Sequence, residues 1–188
     1  MLFRSNVPVS GLKERCKKQE LSLNNVLIYL TIRSLNKIIN FRYRLEDGKV
    51  MEYDKIDPSF ACIRKDESLF RMITVDFVDD INEFNASVQR AVSDSASYFD
   101  MSEFKERTNF AFISPLPWLP FTGIDHTLSL KREDAIPRIS WGKIHQSGDE
   151  EILPYNIQVN HIFVDGLHVG QFYECLNGEI QSFTKDSE

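Results

Sequence analysis

Residues 110–113, 123–130, 137–145 and 152–163 are four β-type runs, and helical patterns stand before and after them. A sheet face rich in apolar residues must be covered, and the stable solutions are packed layers of helices and strands. The chain therefore reads as an α/β layered fold, a two-layer α+β sandwich. Its large sheet is mixed or antiparallel, and helices pack on one face. Gln146-Ser147-Gly148-Asp149 reads as a hairpin turn between the last two runs. Pro115-Leu116-Pro117-Trp118-Leu119-Pro120 is too proline-rich for a helix interior or a central strand. Trp118 reads there as a buried aromatic on a stiffened loop.

Two helices are predicted ahead of these runs. Ser10 reads as the cap of one that runs to Gln19. Ser22 caps a second, with Leu23, Val26, Leu27, Leu30, Ile38 and Ile39 on its apolar side. Residues 41–53 read as a hairpin around Asp47-Gly48, a type I′ turn pair. Asp57-Pro58 reads as a break, and residues 60–65 and 70–76 as strands. Residues 81–91 read as a helix with Asp79 and Asp80 at its positive end, and 93–102 as a loop or frayed helix. A last helix starts at Asp165-Gly166 and stops at Asn177-Gly178. No repeat or linker divides residues 1–188, which read as a single domain.

Lys and Arg total 22 against 28 Asp and Glu, a net charge of −6 that argues against an electrostatic nucleic-acid binder. The longest apolar stretch, around residues 26–30, is too short to span a bilayer. Cys16, Cys62 and Cys175 are scattered and suit neither a disulfide framework nor a zinc site. A cytoplasmic protein without a bound metal is expected, with neither nucleic acid nor membrane as a partner.

The stretch 158–168 is the richest in chemistry. His161 stands near the end of an apolar or amide-bearing strand, where an imidazole titrates near neutrality and can serve as a general base. Asp165 follows four residues later, about 13 Å along an extended strand, too far to orient His161 unless the chain turns sharply. Asp165-Gly166 is a helix-start signal, so Asp165 is expected to organise the loop behind the base. Taken alone, His126, His145 and His168 read as surface or packing residues, and Ser114 before Pro115 as a turn residue.

Wider matches raise these residues above that plain reading. Phe41-Arg42-Tyr43-Arg44, Asp57-Pro58-Ser59-Phe60, Ser114-Pro115-Leu116-Pro117-Trp118 with Phe121-Thr122, and Gln158-Val159-Asn160-His161 through Asp165-Gly166-Leu167-His168-Val169 are in question. Together they resemble the trimeric, coenzyme-A-dependent chloramphenicol acetyltransferases.

The resemblance implies transfer of an acetyl group from acetyl-CoA, as co-substrate, to a hydroxyl of a small molecule such as chloramphenicol or a related acceptor. It implies His161 as general base, its tautomer set by its own backbone carbonyl, and Ser114 as donor to the oxyanion. Trp118, Ser140 and Lys143 would line the coenzyme A channel. Ile124, His126 and Arg138 would line the acceptor pocket. Asp165 and Gly166 would be structural, the aspartate pairing with an arginine near the family's N-terminus. A homotrimer with sites at subunit interfaces is implied. Placed on the family pattern from about Val9, the chain is expected to lack the family's first strand and helix. The alternative is a member that keeps the fold without a complete site.

Overall fold

The computed structural model describes residues 1–64, 67–95, 107–126 and 134–185. Its strands are β1 (Leu2–Pro8), β2 (Tyr43–Glu46), β3 (Lys49–Glu52), β4 (Asp57–Cys62), β5 (Arg71–Thr74), β6 (Phe110–Pro115), β7 (Arg138–Trp141), β8 (His145–Ser147) and β9 (Glu150–Gln158). Its helices are α1 (Leu12–Lys18), α2 (Leu23–Asn36), α3 (Ile81–Asp94) and α4 (Gly166–Lys185), with a 3₁₀ turn at Ile39–Arg42.

Among the described residues, seven strands form one mixed sheet in the order β1-β9-β7-β6-β4-β5, with β8 added beside β9. Strands β4, β6 and β7 run parallel, while β1, β5 and β9 run antiparallel to their neighbours. The hairpin β2–β3 stands apart as a second sheet. Its turn residues Asp47 and Gly48 both have positive φ (49° and 72°), as a type I′ turn requires.

One apolar core lies between helices and sheet. Helix α2 is its centre, with Val26, Ile28, Leu30, Ile32 and Leu35 all buried, and it packs against α1, α3 and α4. Tyr155 of β9 is enclosed by Trp141, Phe172 and Tyr173, and its hydroxyl meets Thr31 Oγ1 at 2.9 Å. No helix among the described residues is long and apolar enough to cross a membrane.

Arg44 ties the β2–β3 hairpin to the sheet. It is only 2% exposed, and its guanidinium donates to the carbonyls of Phe41, Tyr43, Thr108 and Phe110 at 2.7–2.8 Å. Burial lowers its pKa to about 10, which still leaves it charged at neutrality.

Several boundaries differ from expectation, each for a local reason. Ser10 does not cap α1. Gly11 holds the N-cap with φ 79°, and Ser10 Oγ accepts instead from Glu151 N at 2.9 Å. Ser22 does cap α2, accepting from Asn25 N, and Asp80 caps α3 through Glu83 N. Helix α2 stops before Ile38 and Ile39. Asp57 and Pro58 open β4 rather than break the chain, because Asp57 is held by Phe77 N, Arg107 and Asn109. The early segment 2–8, given no structure by its sequence pattern, is the strand β1.

Residues 123–126 form no strand. His126 N donates to the side chain of Gln158 rather than to a ladder. The rest of the run 123–130 lies outside the described residues, as does most of 93–102. The run 137–145 splits into β7 and β8. The run 152–163 ends as strand at Gln158, and residues 161–163 turn. Helix α4 passes straight through Asn177-Gly178 to Lys185, because Ile180 is buried beyond them. A helical glycine costs about 1 kcal/mol, and burying an isoleucine offsets that.

Candidate active site

A cavity of about 980 Å³ opens at the carboxyl ends of β4, β6 and β7, the end of an open sheet where ligands collect. Ser114 belongs to its wall at the end of β6, and Trp118, Lys143, His126 and Arg138 line it too. Most of the remaining lining is apolar, with Leu27, Met72, Phe112, Trp141 and Leu153 among it.

A β-bulge shapes one side. Trp141 pairs with Tyr155, and His145 pairs with Ile152. Four steps on one strand thus face three on the other, so one residue is extra. The stretch between these pairs is Gly142-Lys143-Ile144, all three of which line the cavity, and Gly142 N still donates to Pro154 O of β9 at 2.9 Å. Lys143 N turns away from β9 to donate to Leu119 O at 2.9 Å, which fixes the proline-rich loop over the cavity. A side chain at Gly142 would place its Cβ 2.6 Å from Leu119 O, so the bulge needs glycine there. The loop carries Trp118 outward. Its indole is 64% exposed, not buried, because prolines on either side deny it a place in the core.

Arg138 and His126 form one polar part of the wall, beside Ser114, Lys143, Lys13, Asn24 and Glu151. The Arg138 guanidinium pairs with Asp134, donates to Ile136 O at 3.1 Å and lies over the Phe112 ring at 5.7 Å. His126 Nε2 stands 2.7 Å from Ser140 Oγ. Burial, then the charge of Arg138, pushes the His126 pKa below the usual range, so the ring is neutral near pH 7. The plain reading of His126 as a surface or packing residue missed this. Its partner Ser140 is fully buried and stands behind the wall rather than on it. Ile124, on the same loop as His126, is half-buried and does not line the cavity.

His161 lies elsewhere. It is exposed, in a turn past the end of β9, and is not a lining residue. Asn160 builds that turn. Its Oδ1 accepts from Ile162 N at 3.0 Å, its Nδ2 donates to Asp134 O at 2.9 Å, and its carbonyl accepts from Val164 N. Asn40 Nδ2 holds the turn from the helix side through Phe163 O at 2.8 Å. His161 Nδ1 is 3.2 Å from Val164 O. A carbonyl only accepts, so in the neutral ring this contact puts the proton on Nδ1. The carbonyl that sets the tautomer is thus that of Val164, three residues on, and not the residue's own.

Asp165 makes no bond to His161. Its Oδ1 accepts from Leu167 N (2.9 Å) and His168 N (3.3 Å) at the start of α4 and stands 2.9 Å from His168 Nδ1. The backbone bond from His168, with smaller help from Leu167, lowers its pKa. The side chain is half exposed, so no buried unpaired charge arises. Gly166 is the first residue of α4, with open space where a Cβ would stand. Arg4 lies against Gly123, 4.0 Å from Asp125, and makes no pair with Asp165. His145 is exposed, as expected.

Register separates the two central residues. Ser114 pairs with Ser140, and Ser140 with Asn156. His161 lies five residues past Asn156 on a strand that runs the other way. Two strands across and five residues along amount to roughly 15–20 Å. One chain does not bring Ser114 and His161 together.

A sequence profile of the family described as chloramphenicol acetyltransferase matches residues 3–177. The chain belongs to the chloramphenicol acetyltransferase family. Chloramphenicol acetyltransferase 2 of Escherichia coli is 29% identical over 154 residues, 80% of this chain and 71% of that protein. The enzyme of Clostridium perfringens is 28% identical over 174 residues, 90% of this chain and 78% of its own. A solved chloramphenicol acetyltransferase superposes with a TM-score of 0.88 at 24% identity, covering 96% of this chain and 87% of that one. A probable dihydrolipoamide acetyltransferase of Listeria monocytogenes shares the fold, with a TM-score of 0.74 at 13% identity, over 100% of this chain and 86% of that one. The chain is an acyltransferase of this family, and its mixed sheet with packed helices is the family's fold. Among the described residues no cluster of His, Cys, Asp and Glu is placed to hold a metal ion.

Proposed function

We propose that the enzyme moves the acetyl group of acetyl-CoA onto a hydroxyl of a small molecule, chloramphenicol or a related acceptor. The reaction takes place where the cavity of one chain meets His161 of the next in a homotrimer. One observation carries this reading. Among the described residues, Ser114 is the hydroxyl-bearing strand end in the cavity wall with the family's flanking motif, whereas His161 is exposed outside the cavity with Nδ1 against the Val164 carbonyl, which leaves Nε2 of the neutral ring free to accept.

His161 Nε2 takes the acceptor's hydroxyl proton as its oxygen attacks the thioester carbonyl carbon. The carbonyl π electrons move to oxygen, and the Ser114 hydroxyl donates to that oxyanion. Collapse breaks the carbon–sulfur bond, and the departing thiolate of coenzyme A recovers the proton from the imidazolium. The acetyl ester and free thiol are the products, with no covalent enzyme intermediate. Lys143 at the bulge suits a phosphate, and the exposed Trp118 suits the pantetheine arm. Ser140 is fully buried and is assigned no coenzyme A contact.

Thiol release from acetyl-CoA, with chloramphenicol among a panel of hydroxyl compounds, tests the reading. His161→Ala should lower turnover by about 10²–10⁴-fold. Turnover unchanged by that substitution removes the base, and absence of acetyl-CoA binding by calorimetry points to a member that keeps only the fold.

A further inference from the structure

A second cavity, of about 460 Å³, opens at the β1 edge of the sheet. That size suits a small ligand. Its cation is Arg4. Arg4 pairs with Asn156, Asn156 with Ser140 and Ser140 with Ser114, so one row of residues crosses four strands. Three strand spacings put Arg4 about 14 Å from Ser114, outside the site already described.

Arg4 has little to hold within the protein. Among the described residues its guanidinium makes no hydrogen bond, and its ion contact is the 4.0 Å approach to Asp125. Both side chains are exposed, 52% and 78%, so water screens that pair. None of the described residues that line this cavity is acidic. Asn6, Thr122 and His145 add hydrogen-bonding groups, and Phe121 and Pro154 add apolar surface. A planar carboxylate meets the guanidinium fork at two points, and an apolar body beside it would cover Phe121.

The two cavities share a wall. Leu116, Pro117 and Trp118 line the first, and Pro120, Phe121 and Thr122 line the second. Arg4 braces that segment, because a Cβ at Gly123 would stand 2.1 Å from Arg4 Nε. Phe121 meets the bulge, its ring 3.2 Å from where Gly142 would carry a Cβ. A ligand seated on Arg4 and Phe121 therefore steadies the loop that carries Trp118.

We propose that the second cavity is a regulatory site for a small organic carboxylate with an apolar body, held by Arg4, whose binding tightens that of acetyl-CoA. The site stands without the reading of the first cavity as the acetyl-CoA site, and only the coupling rests on it.

Benzoate, its neutral isostere benzamide, and acetate are the probes, titrated calorimetrically into the wild-type enzyme without acetyl-CoA. Benzoate should bind with a Kd of about 1 mM. Benzamide lacks the charge and acetate the apolar body, so each should bind about tenfold more weakly or worse. R4L should weaken benzoate by about tenfold or more, and R4K, a point charge without the fork, should restore part of the loss. G123A keeps every charge and drives Arg4 Nε aside, so it should weaken benzoate too. At saturating benzoate the Kd for acetyl-CoA should fall about fivefold in the wild type and stay unchanged in R4L. Absence of benzoate binding, equal binding of benzamide, or binding unchanged in R4L overturns the site. An acetyl-CoA affinity that benzoate leaves unchanged or lowers overturns the regulatory role. Benzoate held through Arg4 by an enzyme that binds no acetyl-CoA upholds the site, removes the coupling and refutes the reading of the first cavity.

Discussion

Asn160→Ala should loosen the turn that presents His161 without removing a residue of the cavity wall. The amide bridges Asp134 O and Ile162 N, at 2.9 and 3.0 Å, and Asn160 does not line the cavity. Each neutral hydrogen bond contributes about 1 kcal/mol net, so the turn loses about 2 kcal/mol at most. If that loss falls on the population with His161 in place, kcat/KM drops about 30-fold, since 1.4 kcal/mol is tenfold. Steady-state thiol release reads that drop, and calorimetry reads acetyl-CoA affinity, which should stay within about twofold because the cavity is intact. The melting temperature should fall by no more than about 8 °C for a domain of this size. Asn160→Asp keeps the acceptor for Ile162 N and loses the donor to Asp134 O, so it should lie between. Wild-type kcat/KM in Asn160→Ala, or a loss matched by weakened acetyl-CoA binding, refutes the assignment of Asn160 to the turn.

Arg44→Met should destabilise the fold by about 3 kcal/mol, because several buried carbonyls lose a charged donor; chemical denaturation checks this. Gly142→Ala should displace Leu119 and the loop that carries Trp118, raising the KM for acetyl-CoA more than it lowers kcat. Asp165 carries a pKa below that of an unfolded carboxylate, so its contribution to stability is present above about pH 4 and is lost as pH falls through the lower, folded value. Asp165→Asn should therefore flatten the acid limb of the stability profile, as read by thermal melts at pH values from about 2 to 6.

The layered fold was legible because strand-type runs and helix caps such as Ser22 and Asp80 are local signals. The features that misled are those settled by distant contacts. Ser10 has the chemistry of a cap, but Glu151 N, 141 residues away in sequence, takes its hydroxyl. Asn177-Gly178 reads as a stop, yet the core beyond it holds Ile180. The bulge at Gly142–Ile144 is invisible in composition, since it is a mismatch between two paired strands. In the site, His161 and Ser114 were named from a motif, but their separation follows only from register. His126 was named only through the resemblance, as a residue of the acceptor pocket, and its place in the cavity wall depends on Ser140 and Gln158. A signal for Asn160 was present: an Asn directly before a turn favours the side-chain-to-backbone bond it makes with Ile162.

The central claim is that one chain supplies Ser114 and another His161. Co-expressing His161→Ala and Ser114→Ala chains under separate tags, and assaying the doubly purified assemblies, tests it directly. Each variant alone should be nearly inactive. If every site in a closed trimeric ring takes the serine of one subunit and the histidine of its neighbour, each mixed ring, whichever variant is in the majority, keeps about one site in three intact. Doubly purified assemblies should then recover about a third of wild-type turnover. Mixed assemblies no more active than the separate variants would contradict the account.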